Sequence, residues 1–312
     1  MKQNRSPFCG FLYVTGILMM LNLPGGSSAS PPSSQSHQAL LSHLDELLQL
    51  LDVPHGATLD EMIVASQIWR RKPGQERWEV PDLNITRTTR QNAFQLLEKL
   101  GMVQEILPTR NQYQYALLLG ATVPRMQRRL NELLKLWQQG IRFEQLVFLV
   151  GQRPLQPDID LPTQFTLRAI NNAADVNSLP ATETEGAKMI YSATLLPNDL
   201  KRIPVLFVDT PRYWRENGWQ RPNTRDTLKQ WVSSKPIPGS TLVLSDQPHS
   251  HYQKEVVRQE LPDGFSVDLA AHQADPDARL VLYLDALALW LHNMSPAPAP
   301  GRSETPLPPR RH

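Results

Sequence analysis

The sequence predicts an α/β domain built on a mostly parallel, doubly wound sheet and preceded by a small helical module. In the second part of the chain, short continuous apolar runs alternate with segments of helical period, which indicates βαβ units. Several of these runs stop at a glycine or a small polar residue, and continuous apolar runs are typical of strands buried on both faces. Before residue 113 the hydrophobic pattern is helical instead. We therefore expect a five-stranded Rossmann-like sheet over residues 113–293.

The predicted strands are short, largely apolar runs of four or five residues. They occupy residues 115–119, 146–150, 205–208, 241–244 and 265–269. The predicted helices of this domain occupy residues 184–195, 224–232, 251–261 and 279–292, and a further helix begins after Thr122 and ends at Gly140. Thr122 is expected to cap that helix, and Pro124 suits its first turn.

Residues 37–112 form the predicted helical module. Leucines at three- and four-residue spacing predict a first helix, and two further helices follow, so that the three occupy residues 37–52, 59–70 and 88–100. Thr58 with Glu61 three residues later is the pattern of a capping box, and Gly101 marks the end of the third helix.

Residues 86–110 allow a second interpretation of the module. This stretch resembles the recognition helix and wing of a winged-helix domain, in which Arg87 and Arg90 would face phosphates. The alternative is a helical extension packed on the main domain, with these arginines on its solvated face. We favour the extension, because nucleic-acid binding requires an excess of basic charge that this chain does not show.

The composition supports that choice and excludes several kinds of functional site. Lys and Arg total 32 and Asp and Glu total 30, so we expect no nucleic-acid partner. Cys9 is the only cysteine, which excludes a disulfide framework, a zinc cluster and a CxxC motif. Residues 30–36 are rich in Pro and Ser and predict a linker, and residues 294–312 predict a disordered Pro-rich tail.

The first 29 residues have the pattern of an export signal. Lys2 and Arg5 precede an apolar stretch, residues 7–23, and small residues up to Ala29 suit cleavage by a signal peptidase. The expected location is therefore periplasmic or secreted. The alternative is an uncleaved segment that associates with the membrane and anchors the protein in the inner membrane through residues 7–23.

The predicted functional site is the crevice outside the carboxyl ends of the strands, where open α/β sheets bind ligands. The candidate ligand-binding residues are Gly120, Arg153, Asn223, Thr224 and Asp246. Arg153 follows a strand, and its guanidinium fork could hold a carboxylate or phosphate; a surface arginine is the alternative. Asn223 and Thr224 begin a helix, where free N–H groups attract an anion, but both are also favoured capping residues.

The candidate catalytic residues are Glu185, Ser245 and His249. Glu185 or His249 would act as an acid or base. Ser245 could be the nucleophile of a hydrolase, with His249 as base and Asp209 or Asp246 as the orienting carboxylate. His249 and His251 with Asp246 could also hold a metal, but no third ligand has diagnostic spacing, so we predict no metal site. No cofactor is assigned, because the GxGxxG, Walker A and GxSxG patterns are absent from the sequence.

The order of several short motifs is also informative. Residues 117–140 predict a strand that ends in glycine, followed by an amphipathic helix. A second strand that ends in glycine comes next. It is followed by the motif Glu-Gly-Ala-Lys-Met at 185–189, by Asn-Thr at 223–224, and by a serine and a histidine at 245 and 249. This order resembles the bacterial family of unknown function that includes the envelope proteins SanA and ElyC and the protein YdcF. The resemblance implies a Rossmann-like fold and a role in the bacterial envelope. Binding of S-adenosylmethionine is associated with one branch of the family and carries over only weakly, because this chain lacks a recognisable adenosine-binding fingerprint.

The expected function is that of an exported bacterial protein that binds a small anionic or nucleotide-like ligand at the strand ends, with an envelope protein as a candidate partner. Gln152, Asp226 and Thr227 replace residues of the family's motifs, which favours a second hypothesis, a non-enzymatic interaction protein on the same scaffold. A secreted serine hydrolase that uses Ser245 is the third. Whether the protein is an enzyme stays open at this point.

Overall fold

The computed structural model describes residues 34–72, 74–161, 179–215, 218–275 and 278–294. The predicted signal peptide and the Pro-rich tail from residue 295 onward lie outside these ranges. Helix α1 (Ser34–Leu50) begins inside the predicted linker, so the last residues of that linker are helical. Among the described helices, none is both long enough and apolar enough to cross a membrane.

The helical module contains the three predicted helices, α1, α2 (Leu59–Ser66) and α3 (Arg87–Lys99). The capping box at the start of α2 is confirmed, because Thr58 Oγ1 accepts from Glu61 N and the Glu61 carboxylate accepts from Thr58 N. Beyond α2 the chain tightens into a 3₁₀ turn, so the α-helix ends four residues earlier than the sequence predicted.

The sheet has five parallel strands in the order β3-β2-β1-β6-β7. They are β1 (Gln112–Leu119), β2 (Arg142–Leu149), β3 (Val205–Phe207), β6 (Ser240–Asp246) and β7 (Ser266–His272). Each of the five overlaps a predicted run, and β1 and β2 begin three and four residues earlier than predicted. The doubly wound, Rossmann-like prediction is therefore confirmed.

The winding direction of the chain reverses between β1 and β6. From β1 the chain proceeds to β2 and then β3 on one side, and it later returns to β6 and β7 on the other. The two strands are direct neighbours, with Tyr115 opposite Thr241 and Leu118 opposite Leu244. Such a reversal leaves a crevice at the carboxyl ends of the two strands, which we call the switch point.

Helices cover both faces of the sheet. They are α4 (Val123–Gln138), the short α5 (Pro157–Asp160), α6 (Glu183–Ala193), α7 (Thr224–Ser233), α8 (Ser250–Glu260) and α9 (Leu280–Met294). On one face, α4 and α6 bury Met126, Leu130 and Ile190 against Phe148. On the other face, α7 and α8 pack against the sheet through Trp231 and their neighbours. Each such side chain contributes about 1.5–3 kcal/mol by leaving water.

The predicted capping role of Thr122 is wrong. Thr122 does precede α4 with extended backbone angles, but its side chain makes no capping hydrogen bond. The carboxylate of Asp160, from α5, accepts from Val123 N at 3.2 Å instead. A carboxylate near a helix N-terminus is favoured by the helix dipole, and a residue 37 positions away could not be identified from local sequence.

The sequence did not predict a small antiparallel hairpin, β4 (Tyr213–Arg215) and β5 (Gly218–Gln220), which is separate from the main sheet. It lies between β3 and α7, so both of its ends join the carboxyl edge of the main sheet.

The module and the last helix of the chain share one hydrophobic core. Leu44 of α1 and Leu97 of α3 are fully buried together with Leu284 and Leu287 of α9. The backbone N–H of Ile106 donates to Ala271 O at 2.9 Å, which attaches the segment after α3 to the edge strand β7. The module is therefore packed on the α/β domain, as the extension hypothesis predicts.

Arg90, a candidate phosphate contact in the winged-helix interpretation, is engaged inside this assembly. Its guanidinium donates to Asp82 Oδ2 at 2.5 Å and to Ala278 O at 2.8 Å. Asp82 also accepts from Leu280 N and Val281 N, so Arg90 and Asp82 together attach α3 to the start of α9.

Candidate functional site

A buried ion-pair cluster occupies the switch point. Asp246, the last residue of β6, accepts from Arg125 through both carboxylate oxygens, at 2.8 and 2.9 Å. Arg129 donates to the same carboxylate at 2.7 Å and to the carbonyl oxygen of Leu119, at the end of β1, at 2.6 Å. Burial alone would raise the pKa of Asp246, but the two guanidinium groups outweigh it and hold that pKa well below its ordinary value. Asp246 is therefore a permanent anion that ties α4 to β6.

His249 lies next to this cluster, at the start of α8. Its side chain is 3 % exposed, and Nδ1 has no hydrogen-bond partner among the described residues. Burial, and then the positive charges of Arg125, Arg77 and other arginines, lower the pKa of His249 well below 6.5. The imidazole is therefore neutral near pH 7, with one nitrogen unsatisfied.

The helical module supplies two of the arginines around His249. Arg77 donates from Nη2 to the hydroxyl of Tyr252 at 3.0 Å, and the Tyr252 ring lies 5.9 Å from that of His249. Arg71 donates from Nε to Asp285, in α9, at 3.0 Å. The Nε of Arg77 is buried and lies 3.7 Å from Asp285 Oδ2, which is close enough for an ion pair but too far for a hydrogen bond. The module therefore forms one wall of the site.

The charge of the cluster is positive. Its guanidinium groups and carboxylates belong to Arg71, Arg77, Arg125, Arg129, Asp246 and Asp285, so four cations face two anions. A fifth arginine, Arg128, lies half-exposed at the rim, 3.9 Å from Asp246. We call these residues, together with His249, the switch-point cluster. A site with this balance attracts anions and repels cations.

A second cluster of buried charges lies at the ends of β1 and β2. Arg153 donates to both oxygens of Asp160, at 2.9 and 2.8 Å, and to Glu183 at 3.4 Å. The other oxygen of Glu183 accepts from Gly151 N at 3.2 Å. Burial raises the pKa of Glu183 even though Arg153 opposes the effect. The guanidinium fork of Arg153, predicted to hold a ligand, is thus occupied by the protein's own carboxylates.

Gly120 lies at this second cluster for a steric reason. A Cβ built on Gly120 would come within 2.8 Å of Glu183 Oε2 and 2.9 Å of the carbonyl oxygen of Leu149. The glycine therefore lets a buried carboxylate approach the end of β1. Gly120 was predicted from the sequence, whereas Glu183, the first residue of α6, was not.

Two predicted site residues, Glu185 and Asn223, take part in helix caps, and a third, Thr224, lies beside one of these caps. Glu185 is exposed, and its carboxylate accepts from Ala181 N and Thr182 N to close a capping box at the start of α6. Asn223 Oδ1 accepts from Arg225 N at 2.8 Å and from Asp226 N at 3.2 Å, which caps α7. Thr224 follows as the first residue of that helix. Helix capping accounts for Glu185 and Asn223 without a ligand, and none of the three residues hydrogen-bonds to the switch-point cluster within the described part of the chain.

Ser245 is completely buried and donates its hydroxyl to Gln253. A serine nucleophile needs a base within hydrogen-bonding distance, and the partner found there is an amide, not His249. Asp209 is exposed at a left-handed backbone position. His251 bonds the carbonyl oxygen of Gly101 at 2.8 Å and stacks on Trp290, so it turns away from His249 and towards the module. The described residues contain no group of His, Cys, Asp and Glu suited to a metal ion.

Comparisons with known proteins add nothing to this site, because no protein-family model and no curated protein matches the chain. The resemblance to the SanA, ElyC and YdcF family therefore stays a prediction from the short motifs.

Two open surface depressions lie away from the switch point, on the helical module. One is bordered by Asp52 and Thr86, and the other by Arg87, Phe94 and Tyr283.

Proposed function

We propose that the protein is exported and binds a small anionic or nucleotide-like ligand at the switch point. The observation that carries the proposal is a pair of buried nitrogens without hydrogen-bond partners, His249 Nδ1 and Arg77 Nε, in a cluster of positive charge. A buried polar atom left unsatisfied costs about 1–3 kcal/mol, so native proteins rarely retain one without a reason. An anionic oxygen that accepts from Arg77 and from the neutral imidazole would satisfy both.

Some side chains of the switch-point cluster are held by internal hydrogen bonds, and others could bind the ligand. Arg129 and Asp246 have several internal partners each, so they form the fixed floor of the site. The Nε of Arg77 makes no hydrogen bond, although Asp285 lies 3.7 Å away, and Arg128 at the rim is half-exposed. Guanidinium groups bind carboxylates and phosphates through two parallel hydrogen bonds, which suits a phosphate-sized ligand.

The helical module is part of this function in the proposal. Arg71 and Arg77 belong to the module, and the module's backbone carbonyls at Gly101 and Gln104 accept from Gln247 in the loop after β6. The anion site would therefore exist only when the module is docked on the α/β domain.

The test is titration of the full chain with inorganic phosphate and with adenosine monophosphate, followed by calorimetry and thermal shift. The wild type is expected to bind at least one of them, and Arg77→Gln to weaken that binding about tenfold or more, which corresponds to the loss of one charged hydrogen bond. His249→Gln tests the second unsatisfied nitrogen in the same way.

Arg258 provides the matched control. It is an exposed arginine of α8 that pairs with Glu255 on the same helix, so Arg258→Gln removes the same charge outside the cluster. Equal binding by the Arg77 and Arg258 variants would refute the assignment of the site, and absence of any response in the wild type would refute the ligand class.

Export and an envelope role are supported by the N-terminal sequence pattern and by the resemblance to SanA, ElyC and YdcF. Detection of the mature protein in the periplasmic fraction, with a new N-terminus at Ser30, is the expected result. Retention in the membrane fraction with Met1 intact would favour the anchored alternative.

A non-enzymatic interaction protein is the second candidate function. It is favoured by the internal pairing of Arg153 and Arg129, which fills the crevice with the protein's own charges, and by the open depressions on the module. This candidate predicts no thermal shift with either anion and co-purification of a stable partner through the module.

A further inference from the structure

The hairpin β4–β5 presents two tryptophans to solvent. Trp214 and Trp219 are a directly opposed cross-strand pair, with ring centroids 5.5 Å apart and ring planes at 85°. Their exposed fractions are 65 % and 60 %. The pair stabilises the hairpin, but more than half of each indole remains in water, where large apolar surfaces are unfavourable.

Arginines surround this pair. The Arg212 guanidinium lies 5.3 Å from the ring centre of Trp219, and that of Arg215 lies 5.2 Å from the ring centre of Tyr213. Neither arginine forms an ion pair with another described residue. Between residues 211 and 222 the sequence has three arginines and one carboxylate, so the hairpin carries a local excess of positive charge.

The base of the hairpin is fixed on the α/β domain. Arg221 pairs with Glu76 of the module at 3.0 Å. Pro222 lies so close to Gly151 that a Cβ there would be 2.4 Å from its Cγ, and Gly151 is bridged to Thr210 on the other side of the hairpin. The aromatic pair is therefore held in position before any partner binds, which lowers the entropic cost of binding.

These features favour a lipid surface as the partner. Tryptophan is enriched at the interface between water and hydrocarbon because its ring is apolar and its N–H is polar. Arginine is attracted to anionic headgroups. A flat ligand stacked on Trp219 would compete with Arg212, which already lies over that ring, and two side chains offer far less area than a specific protein interface of about 1,000 Å² or more requires.

We propose that the hairpin β4–β5 docks the protein on an anionic lipid bilayer, with Trp214 and Trp219 at headgroup depth and Arg212 and Arg215 bound to headgroup phosphates. This inference is independent of the anion site at the switch point. The attachment is reversible and salt-sensitive, because it relies on one small apolar contact and on screened charges.

The test is co-sedimentation of the protein from Ser30 onward, without the predicted signal peptide, with phosphatidylcholine vesicles that contain or lack phosphatidylglycerol. The wild type is expected to sediment with the anionic vesicles at low salt. The double variant Trp214→Ala/Trp219→Ala is expected to bind the vesicles at least about tenfold more weakly, because it lacks both interfacial rings. Arg212→Gln/Arg215→Gln is expected to weaken binding about thirtyfold at low salt and to have little effect at high salt.

Leu195→Ala is the control variant, since Leu195 is a 94 % exposed apolar residue outside the hairpin and its removal should leave sedimentation unchanged. All substituted side chains are exposed, and circular dichroism would verify that the variants remain folded. Failure of the wild type to sediment with anionic vesicles would overturn the proposal. So would undiminished sedimentation of the tryptophan variant, or tryptophan-dependent binding to a glycan or a protein in place of vesicles.

Discussion

At the scale of single residues, the most informative side chain is His249. A neutral imidazole enclosed by guanidinium groups resists protonation, because the added charge would be both desolvated and repelled. The unfolded chain has no such constraint. The protonation of this one residue therefore links the stability of the fold to pH.

This linkage predicts a loss of stability in acid. Because the pKa of His249 is lower in the folded state, the unfolded chain binds more protons below about pH 6.5, and the free energy of unfolding falls as the pH is lowered, by up to about 1.4 kcal/mol per pH unit. Above about pH 6.5 both states are neutral and the contribution is complete. Urea unfolding between about pH 8 and about pH 5 should show a shallower decline in His249→Gln than in the wild type.

His55 provides a control of opposite sign. A hydrogen bond to the carbonyl oxygen of Val53, and then one to Asp45, raise its pKa, so its contribution to stability is present at low pH and is lost as the pH rises through the folded-state pKa. His55→Gln should therefore steepen the decline towards acid. A parallel change in both variants would contradict the assignment of the pH dependence to His249.

The residues of the site were only partly predictable. The order of strands and helices predicts that Gly120, Arg153, Asp246 and His249 lie at the carboxyl edge of the sheet, and the structure places them there. Arg77 was not identified, because nothing in the sequence shows that the module docks against the switch point. Arg129 could have been found: it lies three positions after Met126 and next to Leu130, on the buried stripe of α4, where an arginine needs a buried partner.

At the scale of secondary-structure elements, two threonines test how the helices begin. Thr182 caps α6 through its side chain, which accepts from Glu185 N, whereas Thr122 precedes α4 without a side-chain cap. Thr182→Ala should lower the free energy of unfolding by about 1 kcal/mol, and Thr122→Ala by much less. Both threonines are half-buried, so the difference in urea midpoints isolates the cap. Equal losses would show that packing rather than capping stabilises these helix starts.

Most elements were predictable because burial on both faces leaves a continuous apolar run, and because capping residues are local in sequence. The hairpin β4–β5 was missed for the converse reason: its strands are three residues long and contain arginine and exposed tryptophan. One local turn signal was available, the dipeptide Asn217-Gly218, although Gly218 itself begins β5 opposite Arg215.

At the scale of the whole molecule, the shared core of the module and α9 predicts a single unfolding transition. Leu44 and Leu287 are both fully buried in this core, one in each part. Leu44→Ala and Leu287→Ala should each lower the free energy of unfolding by about 2–5 kcal/mol. Circular dichroism and tryptophan fluorescence should report the same urea midpoint in each variant.

Leu195→Ala, which removes an exposed side chain, should leave that midpoint in place. A module that melts first in Leu44→Ala, while the sheet keeps the wild-type midpoint, would show that the two parts are independent domains. Sequence periodicity predicted the helices of the module, but a solvent-facing and a docked helix have the same apolar stripe. Only the structure shows which surface covers it.

The module cannot complete its core during synthesis until α9 has also been made. Arg71 and Asp285, which join the two parts, are 214 residues apart in the chain. At the usual rate of translation, α9 leaves the ribosome roughly 10–40 s after the module. During that interval the leucines of α1 and α3 can pack on each other but lack the surface that α9 supplies. The nascent N-terminal helices are therefore the segment that a chaperone or a translocation channel would encounter with its apolar stripe uncovered.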